Sequence, residues 1–142
     1  METINIFRAA NGEGQLDVGL GSTETAMFLY DHAPCQGSRY HYEHQEEWLL
    51  VLEGSVVLRR PDGEQTLGPG DLVRFPSGPA GAHQVTNRGD SPARTLMFSN
   101  NRSPAVVVYP DSDTIGVFIA GEANDTVFRR DTAVPWAYGM EG

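Results

Sequence analysis

Residues 41–54 read HYEHQEEWLLVLEG, histidines and carboxylates running straight into large apolar side chains. The apolar half, Trp48 to Leu52, shows no alternation. Successive strand side chains point to opposite faces, and an antiparallel strand with one wet face alternates apolar with polar. A run that is apolar at odd and even positions alike predicts a strand covered on both sides. One side faces a barrel interior; the other is covered by further strands or by a second subunit. The polar half admits two readings. His41 and Glu43 share a strand face by their i, i+2 spacing, and Glu47 opens the next strand, from which a short loop brings it back beside them. Imidazole and carboxylate are the usual ligands of Zn, Fe, Mn, Co or Ni. The same residues equally suit a solvated loop. His44 alternates away from the pair, and Tyr40 and Tyr42, flanking His41, read as packing residues.

Working outward, 16 glycines and 9 prolines punctuate the chain at short intervals. The runs between them are rich in Val, Leu, Phe and Tyr, the pattern of an all-β sandwich or barrel. Expected strands are Ile4–Arg8, Thr25–Tyr30, Tyr40–Glu43, Glu47–Glu53, Ser55–Arg60, Glu64–Leu67, Asp71–Phe75, His83–Asn87, Ala93–Ser99, Ala105–Tyr109, Gly116–Phe118 and Thr126–Arg129. Arg60-Pro-Asp-Gly63 suits a tight hairpin, because proline fixes φ and glycine accepts positive φ. No amphipathic helix is evident, and Asp111–Thr114 makes at most one helical turn. The 142 residues are read as one domain. Its barrel covers about residues 25–100, and residues 101–142, too short for a core of their own, form a C-terminal arm.

Hydrophobic residues make up 39% and charged residues 20%, a globular composition. Net charge is −9, and Arg59-Arg60 and Arg129-Arg130 are isolated pairs, so nucleic acid and anionic membrane are not expected partners. The opening METINIFRAANGEG has no basic, apolar leader, and no run approaches the roughly 20 apolar residues of a membrane span. Cys35 is the single cysteine, which suits a reducing compartment. A cytoplasmic protein is expected, with Cys35 a small apolar residue beside a turn.

A second stretch, GDLVRFPSGPAGAHQVTN at 70–87, places His83 after a Pro/Gly-rich loop and at the head of a strand. His83, Val85 and Asn87 share a face, and Val85 marks that face as inward. An inward histidine needs a polar partner. It is either a satisfied core histidine or one half of a site shared with residues 41–47. Gln84 alternates outward. His32, before the Pro34 turn, reads as exposed, and Trp136 as a pin for the C-terminal tail.

Together the two stretches resemble the paired motifs of the cupins, small β-barrels of the jelly-roll type. The first cupin motif is G-x5-H-x-H-x3,4-E-x6-G, and the chain has Gly37-x3-His41-x-Glu43-x3-Glu47-x6-Gly54. The second is G-x5-P-x-G-x2-H-x3-N, and the chain has Gly70-x5-Pro76-x-Gly78-x4-His83-x3-Asn87. Flanking strands extend the resemblance to about residues 25–100, and the whole pattern is similar to bacterial single-domain cupins. The resemblance implies a jelly-roll barrel holding a divalent ion (Zn, Fe, Mn or Ni) on His41, Glu43, Glu47 and His83. Glu43 stands where the family usually has a second histidine. It is implied as a fourth ligand, as an acceptor behind the ligands, or as a general base. Without it, His41, Glu47 and His83 resemble the two-histidine, one-carboxylate set of non-haem iron sites.

The function so implied is a metal-dependent enzyme acting on a small organic substrate, of oxygenase, isomerase or lyase type. The alternative is a non-catalytic small-ligand binder or sensor, and a third reading is a structural barrel with a relict site. Fold alone does not choose among them. The expected partners are a small molecule and, to cover the outer sheet face, a second copy in a homodimer.

Overall fold

Glu47–Glu53 forms an interior strand of its sheet, hydrogen-bonded to a neighbour along each edge. The computed structural model describes residues 3–10, 15–120 and 126–140. Residues 1–2 and 11–14 of the opening segment, and 121–125 and 141–142 of the expected arm, lie outside the described residues. The strands are β1 (Gln15–Asp17), β2 (Thr25–His32), β3 (Tyr42–Glu43), β4 (Glu47–Glu53), β5 (Val56–Arg60), β6 (Gly63–Leu67), β7 (Leu72–Phe75), β8 (Gln84–Thr86), β9 (Ala93–Asn100), β10 (Ala105–Tyr109), β11 (Thr114–Phe118) and β12 (Thr126–Arg129). Among the described residues there are short 3-10 turns but no α-helix. One of these turns, Pro110–Ser112, sits where a helical turn was expected.

One antiparallel sheet runs β1-β2-β9-β4-β7. Facing it are the sheets β12-β11-β10-β3 and β6-β5-β8. Two isolated bridges, Gly37 with Thr86 and His41 with His83, stitch these two into one continuous face. The result is the jelly-roll β-barrel expected from the strand pattern. Leu49, Val51, Val56, Leu58, Leu67, Phe75, Val85 and Ala93 pack as its core, each large side chain worth about 1.5–3 kcal/mol of burial. Gly54 links β4 to β5 at φ 70°, and a Cβ there would lie 2.6 Å from the carbonyl oxygen of Pro92. Only glycine fits this corner.

The outer face of the five-stranded sheet also carries apolar side chains. Leu16 pairs with Leu29, Leu29 with Leu96, Leu96 with Leu50, and Leu50 with Leu72, a leucine row crossing every strand. Leu72, at its end, is 54% exposed.

Three expectations need correction. Ile4–Arg8 is a turn, not a strand: the Asn5 side chain accepts from the Phe7 amide and its carbonyl from the amides of Arg8 and Ala9. Such local bonding competes with a ladder. Trp136 pins nothing among the described residues, being 83% exposed. The segment expected as an arm supplies β10 and β11 to the barrel, with Val107 and Val108 buried, while β12 and residues 130–140 lie exposed. The short β1 was not expected from sequence.

Candidate metal centre

The seam between the two smaller sheets, which together face the five-stranded one, is made in part by the two histidines themselves. His41 donates its amide to the carbonyl of His83 at 3.0 Å, and His83 returns the bond at 2.8 Å. Residues directly opposite across an antiparallel bridge share a face, so both imidazoles enter the barrel, their ring centroids 4.6 Å apart. Backbone carbonyls fix each ring: His41 Nδ1 is 2.8 Å from the Arg39 oxygen, and His83 Nδ1 is 2.9 Å from the Gly81 oxygen. Each carbonyl places the proton on Nδ1 and leaves Nε2 with a lone pair, the tautomer that a metal ligand needs.

The third group comes from the opposite sheet. Glu47 heads β4 between Phe75 and Ser99, and its Oε2 lies 4.0 Å from His83 Nε2. One ligand atom from each of His41, Glu47 and His83 falls within 4.8 Å of the others. Burial, with the charge of Glu43 adding to it, pushes the Glu47 carboxyl from 4.5 up to about 8. Burial, then the nearness of His41, takes His83 from 6.5 down to about 4. Neither side chain therefore neutralises the other as an ion pair near pH 7. A buried carboxyl facing two neutral imidazoles is a donor set that a cation would take up by displacing the carboxyl proton.

Glu43 faces the same space but stands outside this close group. It sits on β3 opposite Val107, its carboxylate receives Gln45 Nε2 at 3.4 Å, and burial raises its pKa. His44 is exposed and turned against Tyr42. Tyr40 packs under the Arg59 guanidinium. Gln84 binds the Ser38 carbonyl. Asn87 is fully buried and holds loops, donating to the carbonyls of His32 and Ser91. Cys35 is exposed at a left-handed turn position, φ 66°.

The group opens on a cavity of about 650 Å³. Two residues missed from sequence line it. His32 is half-buried rather than exposed: β2 runs past Tyr30, and His32 Nε2 lies 2.9 Å from Thr95 Oγ1 across β9. Tyr30 stacks beside His32. Burial, then the charges of Glu47 and Glu43, hold its hydroxyl protonated with a pKa of about 12. The i, i+2 spacing of Phe28, Tyr30 and His32 was the available signal.

Comparison with known proteins agrees with this architecture. The chain is similar to a sugar phosphate isomerase from a cupin superfamily of Silicibacter pomeroyi, at 31% identity over 89% of this chain and 83% of that one, with a TM-score of 0.76. It is similar to a proposed sugar phosphate isomerase of Acidithiobacillus ferrooxidans, at 26% identity over 85% and 78% of the two chains, TM-score 0.74. A protein of Thermus thermophilus matches at 31% identity over 70% of this chain and 97% of its own, TM-score 0.61. No curated protein matches the sequence. Residues 28–99 match the cupin domain model, and the span takes in the whole of both motifs and all three clustered residues: the chain belongs to the cupin domain family.

Proposed function

We propose that this protein binds a divalent ion through His41, Glu47 and His83 and acts on a small organic molecule in the barrel by isomerase-type proton transfer. The observation that carries this is the convergence of three ligand atoms, drawn from facing sheets, within 4.8 Å of one another on the wall of a cavity. Among oxygenase, isomerase and lyase chemistries, similarity to the Silicibacter pomeroyi sugar phosphate isomerase favours the second. Zn, Fe, Mn and Ni all accept this ligand set, and such an ion supplies Lewis-acid polarisation of a substrate oxygen. Glu43 holds and moves the proton. It lines the cavity beside the cluster, Gln45 orients its Oε2, and burial shifts it towards the range useful to a general base. Tyr30 presents a protonated hydroxyl to the same space, and Phe28 and Met97 wall it with apolar surface that limits water.

Elemental analysis of protein purified without chelator tests this. Near-stoichiometric divalent metal is expected, lost in His83→Ala and Glu47→Gln together with aldose–ketose interconversion of sugar substrates. Metal-free wild type, with His41→Ala equally stable, overturns it. Metal and ligand binding without turnover points instead to the binder or sensor reading. We also propose a homodimer through the exposed end of the leucine row at Leu72, Leu29 within the row being already buried. Leu72→Glu is expected to convert a sedimenting dimer to monomer, and a wild-type monomer refutes this.

A further inference from the structure

We propose that the cavity takes a polyhydroxylated small molecule bearing a phosphate group, with the phosphate held at Arg39, the cavity-lining guanidinium that Ser112 and Thr114 position. This rests on the barrel being a small-molecule site and adds the chemical class that the site selects.

All 10 basic residues of the chain are arginines. Among the described residues, Arg59, Arg60, Arg74, Arg88, Arg94, Arg129 and Arg130 each have a carboxylate within 4.0 Å. Arg8, Arg39 and Arg102 have none there, although acids outnumber bases 19 to 10. Arg39 and Arg102 both line the cavity.

Arg39 is the one held in place. Its guanidinium carbon lies 3.6 Å over the centre of the Tyr109 ring. Its Nη2 donates to Ser112 Oγ at 2.9 Å and Thr114 Oγ1 at 3.2 Å, hydroxyls themselves 2.8 Å apart. None of these partners neutralises it. The carboxylates flanking Ser112 are occupied elsewhere, Asp111 by Arg59 and Asp113 by Arg130. The Tyr109 ring also lies 6.0 Å from the His41 ring, so the cation is fixed beside the candidate metal ligands. A pre-positioned guanidinium is the donor fork a phosphate takes.

The interior supplies the other half. Gln45 Oε1 and Asn100 Oδ1 are buried acceptors with no protein hydrogen-bond partner among the described residues, and both residues line this cavity. Buried acceptors call for donors, and the hydroxyl groups of a sugar-like molecule are donors.

Calorimetric titration with inorganic phosphate tests the anion half, with and without the divalent ion. Wild type binds in both forms. Arg39→Gln, which keeps a donor for Ser112 and Thr114, weakens binding by about tenfold or more. Arg74→Gln, an outer-surface control, changes it by less than about twofold. Absence of phosphate binding overturns the assignment, as do equal losses in the two variants, or binding that needs the metal and ignores Arg39. Because the metal-free arm reads Arg39 alone, failure of the metal centre does not mimic failure of this proposal. Should Arg39→Gln unfold, Arg39→Lys serves, with at least about threefold weaker binding expected from loss of the fork and unchanged affinity overturning it. Ribose 5-phosphate tests the hydroxyl half. It binds more tightly than inorganic phosphate, and Gln45→Leu removes the gain; equal affinities refute it.

Discussion

The ring of Phe75 lies face to face with the imidazole of His83, centroids 3.7 Å apart and planes 8° from parallel. Phe75 also stands directly opposite Glu47 in the β4–β7 ladder. One aromatic side chain thus borders two of the three clustered groups. With the Gly81 carbonyl on Nδ1, the stack leaves His83 a single orientation. Residues that orient a ligand typically change metal affinity about 10–100-fold when altered. Phe75→Leu should therefore weaken zinc binding by about that factor while costing on the order of 1–2 kcal/mol of stability. Competition titration against a chromogenic chelator reads the first effect, and urea unfolding of the metal-free protein reads the second.

Glu43 gives a sharper division. It lines the cavity but falls outside the close cluster. If its work is proton transfer, Glu43→Gln keeps the metal and lowers kcat by about 100-fold or more. Metal analysis and steady-state kinetics on the same preparation separate the roles. Loss of metal in this variant makes Glu43 a ligand instead.

What could be read from sequence followed strand periodicity. The unalternating Trp48–Leu52 run correctly announced a strand with apolar side chains on both faces: Leu49 and Val51 lie in the core, and Leu50 in the outer leucine row. The spacing of His41, Glu47 and His83 marked residues that the fold does bring together. Other features depend on partners distant in sequence. His32 looked exposed because Pro34 advertises a turn, whereas Thr95, on β9, draws its ring inward. Arg39 belongs to no motif. Its surroundings exist only because β10 and the Ser112 turn fold back onto it. Ile4–Arg8 failed as a strand because Asn5 bonds locally.

Asn87 shows a motif residue working through structure alone. It is fully buried, donates to the His32 and Ser91 carbonyls at 2.8 and 2.9 Å, and accepts from the Gly89 amide at 2.9 Å. Replacing it with alanine removes three hydrogen bonds, each worth about 0.5–1.5 kcal/mol net, with Ser91 and Gly89 exposed and the His32 carbonyl part-buried. Asn87→Ala should lose on the order of 3 kcal/mol in urea unfolding, with the aromatic circular dichroism of its residual folded fraction unchanged. A loss below about 1 kcal/mol would mean that water replaces the side chain.

The buried cluster also sets the pH dependence of the metal-free protein. The folded-state pKa of Glu47 is raised, from 4.5 to about 8. Such a group stabilises the fold fully below its unfolded value, and the contribution is lost as pH rises through the folded one. The folded-state pKa of His83 is depressed, from 6.5 to about 4. Its contribution is present above 6.5 and lost as pH falls towards 4, so it is level at higher pH. His41 and His32, also lowered chiefly by burial, act in the same sense as His83. Between about pH 7 and pH 8 the carboxyl of Glu47 therefore sets the sign, and Glu43, also raised by burial, acts in the same sense. There the metal-free protein should lose stability with rising pH, by at most about 1.4 kcal/mol per pH unit for one proton. Glu47→Gln should flatten that slope. Added zinc should reverse it in wild type, because binding requires the carboxylate and releases its proton. Urea unfolding at closely spaced pH values, with chelator and with zinc, measures both slopes. A metal-free slope that persists in Glu47→Gln would place the titrating group elsewhere.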